Sequence, residues 1–274
     1  MLENSVNKIN LEDFKKEFSL VLSGGSALGY SHLGTLKYLE ENNLIPSEIV
    51  GTSMGALIAA AFAMGMSSNN IAIIVKNINY LKLIDFKILN TTLTGHAKIK
   101  SFLKNIFGNK MIGDLNIDLK ITASSFKTGE LVIFDKNSNI RIIDAICASI
   151  SIPGVFELYK YKNHYYADGL LSSNLPIEAS SKNIKNIIAV NVVNFHHLKN
   201  KIKDNNVIDI LNRSFMICKI NQGFDKLNLL HNSKTLILIE PNLSQYNFAS
   251  FKHWKEISLI GYKETKMFLE NNLK

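Results

Sequence analysis

Residues 18–29 read Phe18-Ser19-Leu20-Val21-Leu22-Ser23-Gly24-Gly25-Ser26-Ala27-Leu28-Gly29, and residues 48–55 read Glu48-Ile49-Val50-Gly51-Thr52-Ser53-Met54-Gly55. Each stretch starts as a short apolar β-type run and ends in small residues, as a strand entering a turn does. A helical pattern follows each one. Gly29 to Asn42 sets Leu33, Leu36 and Leu39 on one face. Met54 to Met66 is free of charge and rich in alanine. Strand, helix, strand, helix over residues 18–66 is the signature of parallel βαβ units.

Further along, Leu119–Ser124 and Glu130–Phe134 read as two adjacent strands joined at Lys127-Thr128-Gly129, and Tyr165–Asp168 as a short strand ending at Gly169. Ile184–Val193 is apolar on both faces, which suits a central parallel strand. The segment 69–113 reads as helical with lysine-rich surfaces, and Ile140–Ile150, Val207–Asn232 and Phe251–Asn271 read as amphipathic helices. Thr235–Glu240 is the last expected strand, and Lys199–Asn206 the expected mobile connection. The expected fold is a three-layer α/β/α sandwich around a mainly parallel sheet. No repeat is visible, so solenoids and propellers are excluded.

With 274 residues, 46% of them hydrophobic, the chain can bury a sizeable core. The formal charge is +8, but Arg141 and Arg213 are the only arginines. Base and phosphate recognition favours arginine forks, so the basic balance argues against a nucleic-acid partner and leaves loose attraction to anionic membrane surfaces. Met1–Phe18 lacks the apolar core of a secretory signal, and Met54–Met66 is too short to span a bilayer. The expectation is a cytoplasmic protein with peripheral membrane contact. Cys147 and Cys218 lie in apolar helical patterns and are expected to be buried thiols; no metal spacing is present.

Gly51-Thr52-Ser53-Met54-Gly55 matches Gly-x-Ser-x-Gly between a strand and a helix. That context defines an elbow that strains the serine backbone and projects its Oγ from the sheet edge. Gly51 and Gly55 allow strand and helix to approach closely. Ser23-Gly24-Gly25-Ser26 leaves the preceding strand at the same sheet edge, where small-residue turns offer backbone N–H groups to anionic oxygen. It is not a dinucleotide loop, because Ser26 stands at the middle glycine, nor a P-loop, because no Gly-Lys-Ser/Thr follows. A serine nucleophile needs a base. On the residues alone two arrangements stay open: Asp168 as the base itself, or a triad of Ser53, Asp168 and one of His196, His197, His231 and His253.

Residues 20–36, with His32-Leu33-Gly34 in the helix after the glycine loop, resemble the opening of the patatin-like phospholipase family. Gly51–Gly55 matches that family's second block. Ala148–Phe156 with Pro153-Gly154, followed by Tyr166-Ala167-Asp168-Gly169 and Asn174-Leu175-Pro176, resembles its third, and Lys127–Glu130 resembles the turn between its middle strands. The resemblance implies one patatin-like hydrolase domain over residues 18–274, after an N-terminal extension of residues 1–17. It implies a serine–aspartate dyad without catalytic histidine. Ser53 would attack a lipid ester, as in phospholipase A or lysophospholipase chemistry, and Asp168 would act as base. Gly24, Gly25 and Ser26 would hold the oxyanion. No metal or organic cofactor is implied. His32 would support the loop. The alternatives are an α/β-hydrolase-type esterase and a non-catalytic lipid-binding member of the fold. Leu28 stands where the family usually carries Arg or Lys, and Leu170 where it carries Gly or Ala; both are expected to make the pocket mouth apolar.

Overall fold

The structure, a computed structural model, describes residues 11–77, 95–199, 210, 213–214, 216–221 and 234–272. Helix α1 (Leu11–Lys16) leads into β1 (Ser19–Leu22), a 3-10 turn at Ser26–Tyr30 and α2 (Ser31–Glu41). Strand β2 (Glu48–Thr52) is followed by α3 (Met54–Ala63), α4 (Ser68–Asn77) and α5 (Ala97–Phe107). Strands β3 (Asp118–Ser125) and β4 (Leu131–Phe134) precede α6 (Ile142–Ser149), and β5 (Tyr159–Tyr161) pairs with β6 (His164–Asp168). Strands β7 (Asn186–Val190) and β8 (Thr235–Ile239) and helix α7 (Trp254–Asn272) close the fold.

One eight-stranded sheet runs β5-β6-β3-β2-β1-β7-β8, with β4 on β3. The five strands β3-β2-β1-β7-β8 are parallel, while β4, β5 and β6 add antiparallel pairs. The expected strands are therefore present, and β7 is an interior parallel strand, though next to the edge, between β1 and edge strand β8. The chain moves from β1 to one side of the sheet and later returns to β7 on the other. The loops after β1 and β7 thus diverge at a topological switch point, the usual place for a ligand crevice.

The two-residue period of the strands sorts the core. Leu20, Leu22, Ile49, Ile188, Val190, Ile237 and Ile239 face one buried cluster with the helices. Val21, Val50, Ile187 and Ala189 face a second cluster with Leu175, Ile177 and Ala179. Most of the expected helix 207–232 lies outside the described residues, as do 200–206 of the expected connection and 78–94 of the lysine-rich segment. Residues 210, 213–214 and 216–221 are helical. Helices α2 and α7 cross almost backbone to backbone: a Cβ at Gly34 would fall 1.9 Å from the Ser258 carbonyl oxygen, and one at Gly261 would fall 2.0 Å from that of Ser31. This contact explains the glycine of His32-Leu33-Gly34.

At the sheet end away from the Ser53 elbow, buried Glu48 meets Lys120 Nζ at 2.7 Å. It also accepts hydrogen bonds from Ser19 Oγ and Ser181 N. Burial opposes its charge, but Lys120 and the serines outweigh that cost and hold the carboxyl below its usual range. Two sequence expectations need correction. Cys147 is buried, but Cys218 is exposed, because its helical stretch turns that side outward. Leu28 does not line a pocket mouth: its side chain is fully buried in the main core, since the 3-10 turn points it inward beneath the loop.

Candidate active site

Strand β2 delivers Ser53 at its C-terminal end. The residue caps α3 with φ 54° and ψ −119°, a left-handed region disfavoured for a residue with a Cβ. Both flanking glycines are sterically required. A Cβ at Gly51 would lie 2.5 Å from the Gly55 carbonyl oxygen, and one at Gly55 would lie 2.5 Å from that of Leu22. Tight packing of α3 on β1 and β2 fixes the strained backbone, and Ser53 N donates to Ser149 Oγ at 2.8 Å.

Asp168 ends β6 and meets Ser53 through their shared neighbour. On β3, Thr122 pairs with Thr52 and the next residue, Ala123, pairs with Asp168. The last residues of β2 and β6 therefore sit at adjacent register positions. Ser53 Oγ donates to Asp168 Oδ2 at 2.7 Å, and Leu170 N donates to Asp168 Oδ1 at 2.9 Å. The Asp168 backbone is pinned as well: its N–H donates to Ser151 O, and its carbonyl accepts from Ser124 Oγ. Asp168 is fully buried and Ser53 is 5% exposed. Burial pushes the Asp168 carboxyl up to about 7, against the opposing pull of the Leu170 N–H, the Ser53 hydroxyl and the Lys219 charge. Lys219, itself buried, donates from Nζ to Leu171 O at 2.5 Å.

The glycine loop borders the same space. A Cβ at Gly24 would lie 3.2 Å from Ser53 Cβ. Gly24 N donates to Asn174 O, Ala27 N to Phe248 O and Leu28 N to Gly25 O. The N–H groups of Gly25 and Ser26 find no acceptor among the described residues. Ser26 has φ 49°, a conformation that glycine would take without cost. The loop is tied to the switch point by Ser23 N donating to Val190 O and Val192 N donating to Ser23 Oγ.

Among the described residues no histidine hydrogen-bonds Ser53 or Asp168. His32 Nε2 donates to Ser23 O at 2.8 Å, and burial takes the imidazole down to about 4, so it braces the loop as a neutral ring. His96 bonds Ser151 Oγ, His197 bonds Asn194 O, and His253 lies beside Glu256. His231 lies outside the described residues. Sequence reasoning assigns no part to Ser149, Ser151, Asn174 or Lys219. The first three stand inside the family's third block, so their sequence signal is position alone. Nothing local marks Lys219, which reaches the site from a distant segment.

The family model for patatin-like phospholipase matches residues 20–180, more than half of the chain. The chain belongs to the patatin-like phospholipase family. An uncharacterized NTE family protein of Mycobacterium tuberculosis is 30% identical over 163 residues, 59% of this chain and 27% of that protein. The patatin-like phospholipase domain-containing protein 7 of Rattus norvegicus is 27% identical over 281 residues, 89% of this chain and 20% of that protein. The chain thus spans about a fifth to a quarter of the length of these curated relatives. The crystal structure of VipD from Legionella pneumophila superposes with a TM-score of 0.57 at 15% identity, covering 94% of this chain and 67% of that one. That likeness supports a shared patatin-like fold. No helix among the described residues is long and apolar enough to cross a membrane.

Proposed function

We propose that the protein is a serine acyl hydrolase of lipid carboxylic esters, of phospholipase A or lysophospholipase type, working through Ser53 and Asp168. The observation that carries this reading is the 2.7 Å hydrogen bond to a buried carboxylate from the hydroxyl of Ser53, whose backbone is strained. As Ser53 Oγ attacks the ester carbonyl carbon, its proton passes to Asp168 Oδ2. A base near 7 accepts that proton far better than an ordinary aspartate, whose pKa lies at about 3.9. The carbonyl oxygen becomes an oxyanion, and Gly25 and Ser26 supply N–H donors to it. Gly24 shapes the loop, because its own N–H is committed to Asn174. One such donor contributes about 2.7–4 kcal/mol in comparable sites.

Collapse of the tetrahedral adduct expels the alcohol, which takes the proton back from Asp168. An acyl-Ser53 ester remains. Asp168 then removes a proton from water, the resulting hydroxide attacks the acyl carbonyl, and Ser53 leaves with the proton. Each half-reaction returns Asp168 to its carboxylate form. No histidine is needed in this scheme, and His32 serves only to hold Ser23. We also propose one domain from residue 18 onward, a lipid-ester substrate and peripheral contact with membrane surfaces. The test is a panel of phospholipids, lysophospholipids and neutral glycerides with products identified by mass spectrometry. Release of free fatty acid by the wild type and none by folded Ser53→Ala supports the reading. Equal release by both overturns it.

A further inference from the structure

A concave site of about 310 Å³ opens between α5 and the start of α6, lined by Lys100, Ser101, Lys104, Asn109, Arg141 and Ile143. Its charge is one-sided. Residues 95–113 carry Lys98, Lys100, Lys104 and Lys110 and no carboxylate. Among the described residues, the carboxylate paired with Lys100 and Arg141 is Asp144, which is almost fully buried and receives Lys100 Nζ at 2.9 Å and Arg141 Nε at 2.7 Å. Tyr159 OH also donates to Asp144. Lys100, Lys104 and Arg141 against Asp144 leave a net charge of +2 among the described residues.

The geometry of these groups suits an anion. Asp144 grips Arg141 only by Nε, so the terminal nitrogens of the guanidinium fork find no acceptor among the described residues. Lys104 likewise has no ion pair among them. Lys100 and Lys104 are four residues apart on α5, a like-charge spacing that weakens a helix slightly unless an anion lies between them. Ser101 and Asn109 add neutral polar groups to the lining. Arginine is scarce in this chain, and one of its two arginines stands here, where a planar fork matches phosphate oxygens. The depression is half open to solvent and wider than a phosphate group alone, which leaves room for the alcohol attached to it.

We propose that this site binds a phosphate-type oxyanion, a phosphomonoester or phosphodiester group, apart from the Ser53–Asp168 centre. Helix α6 joins the two places. Arg141 caps its N-terminus, and its last residue, Ser149, receives Ser53 N–H, eight residues and about 12 Å along the axis. The site is separate from the catalytic reading and is tested without turnover.

The experiment uses the full chain carrying Ser53→Ala, so that no ester is consumed. Inorganic phosphate and glycerol 1-phosphate are titrated by calorimetry. Phosphatidylcholine vesicles with and without phosphatidic acid are assayed by flotation. The compared variants are Lys104→Gln, Arg141→Lys and, on distant α7, Lys266→Gln, each checked by thermal unfolding. Arg141→Lys keeps the charge beside Asp144 and loses the fork. Lys104→Gln and Arg141→Lys should each weaken binding about tenfold, and Lys266→Gln should leave it unchanged. Binding of the soluble phosphates alone assigns the site to a free phosphate compound. Binding of the phosphatidic acid vesicles alone assigns it to a lipid headgroup. Either supports the proposal when Lys104→Gln and Arg141→Lys weaken the binding and Lys266→Gln does not; binding that both site variants leave unchanged overturns it. No binding of any probe, or equal weakening in all three variants, overturns it.

Discussion

Replacing Asp168 with Asn should stabilise the protein at alkaline pH while removing its activity. The carboxyl is fully buried and is pushed from an ordinary value of 3.8 up to about 7. The sign follows from linkage. A carboxyl raised in the folded state binds its proton more tightly there than in the unfolded chain. Stability is therefore lost as pH rises from about 4, and the loss levels off above about 7. A rise of that size costs the folded protein about 4 kcal/mol at pH 8, where the carboxyl is ionised, and roughly 2.5 kcal/mol of it develops between pH 5 and 8. Asparagine carries no charge and keeps both local hydrogen bonds. Its Oδ1 can accept from Leu170 N, and its Nδ2 can donate to Ser53 Oγ. Denaturant unfolding of wild type and Asp168→Asn at pH 5 and pH 8 measures the difference, and unrelated titrations cancel in the comparison. The variant should gain on the wild type by about 2–3 kcal/mol between the two pH values, equivalent to roughly 5–10 °C in Tm. A constant difference across that range would refute the claim that burial, rather than a strong partner, governs this carboxyl.

Three other expectations concern the supports of the site. Gly34→Ala drives a methyl into the α7 backbone at the Ser258 carbonyl and should cost at least about 2–3 kcal/mol by thermal or denaturant unfolding; a change under half of that would show that the helices separate easily. Lys120→Met leaves buried Glu48 without its cation and should cost about 3–5 kcal/mol near neutral pH, less as acid protonates Glu48; equal cost at pH 4 and pH 7 would contradict the ion-pair account. His32→Leu removes the donor to Ser23 O and should lower kcat severalfold without moving the pH–rate profile, because the ring is neutral throughout the active range; a moved acidic limb would give His32 a part in proton transfer.

The sheet and the elbow were legible because they rest on local rules. Apolar runs ending in small residues mark β1 and β2, and the glycines at 51 and 55 carry the steric demand of the turn. The approach of Asp168 to Ser53 is a matter of register, since both β2 and β6 pair with β3. Residue spacing along the chain carries no such register, and only the family resemblance implies the pairing. Leu28 shows the opposite failure. Position in the loop suggested a pocket wall, yet the 3-10 turn rotates its side chain into the core. Cys218 failed for a similar reason, because an apolar-looking helical stretch does not reveal which face a neighbouring segment covers. Lys219 carries no sequence signal because long-range docking, not spacing, brings its ammonium beside Leu171.

The central claim, that Asp168 activates Ser53 as the acyl-accepting nucleophile, is tested most directly by timed labelling with a fluorophosphonate followed by intact-protein and peptide mass spectrometry. The wild type should gain one adduct, located on Ser53, with a rate that falls as pH drops below about 7. Asp168→Asn should label at least about a hundredfold more slowly. An adduct on another residue, or labelling of folded Asp168→Asn at the wild-type rate, would contradict the dyad.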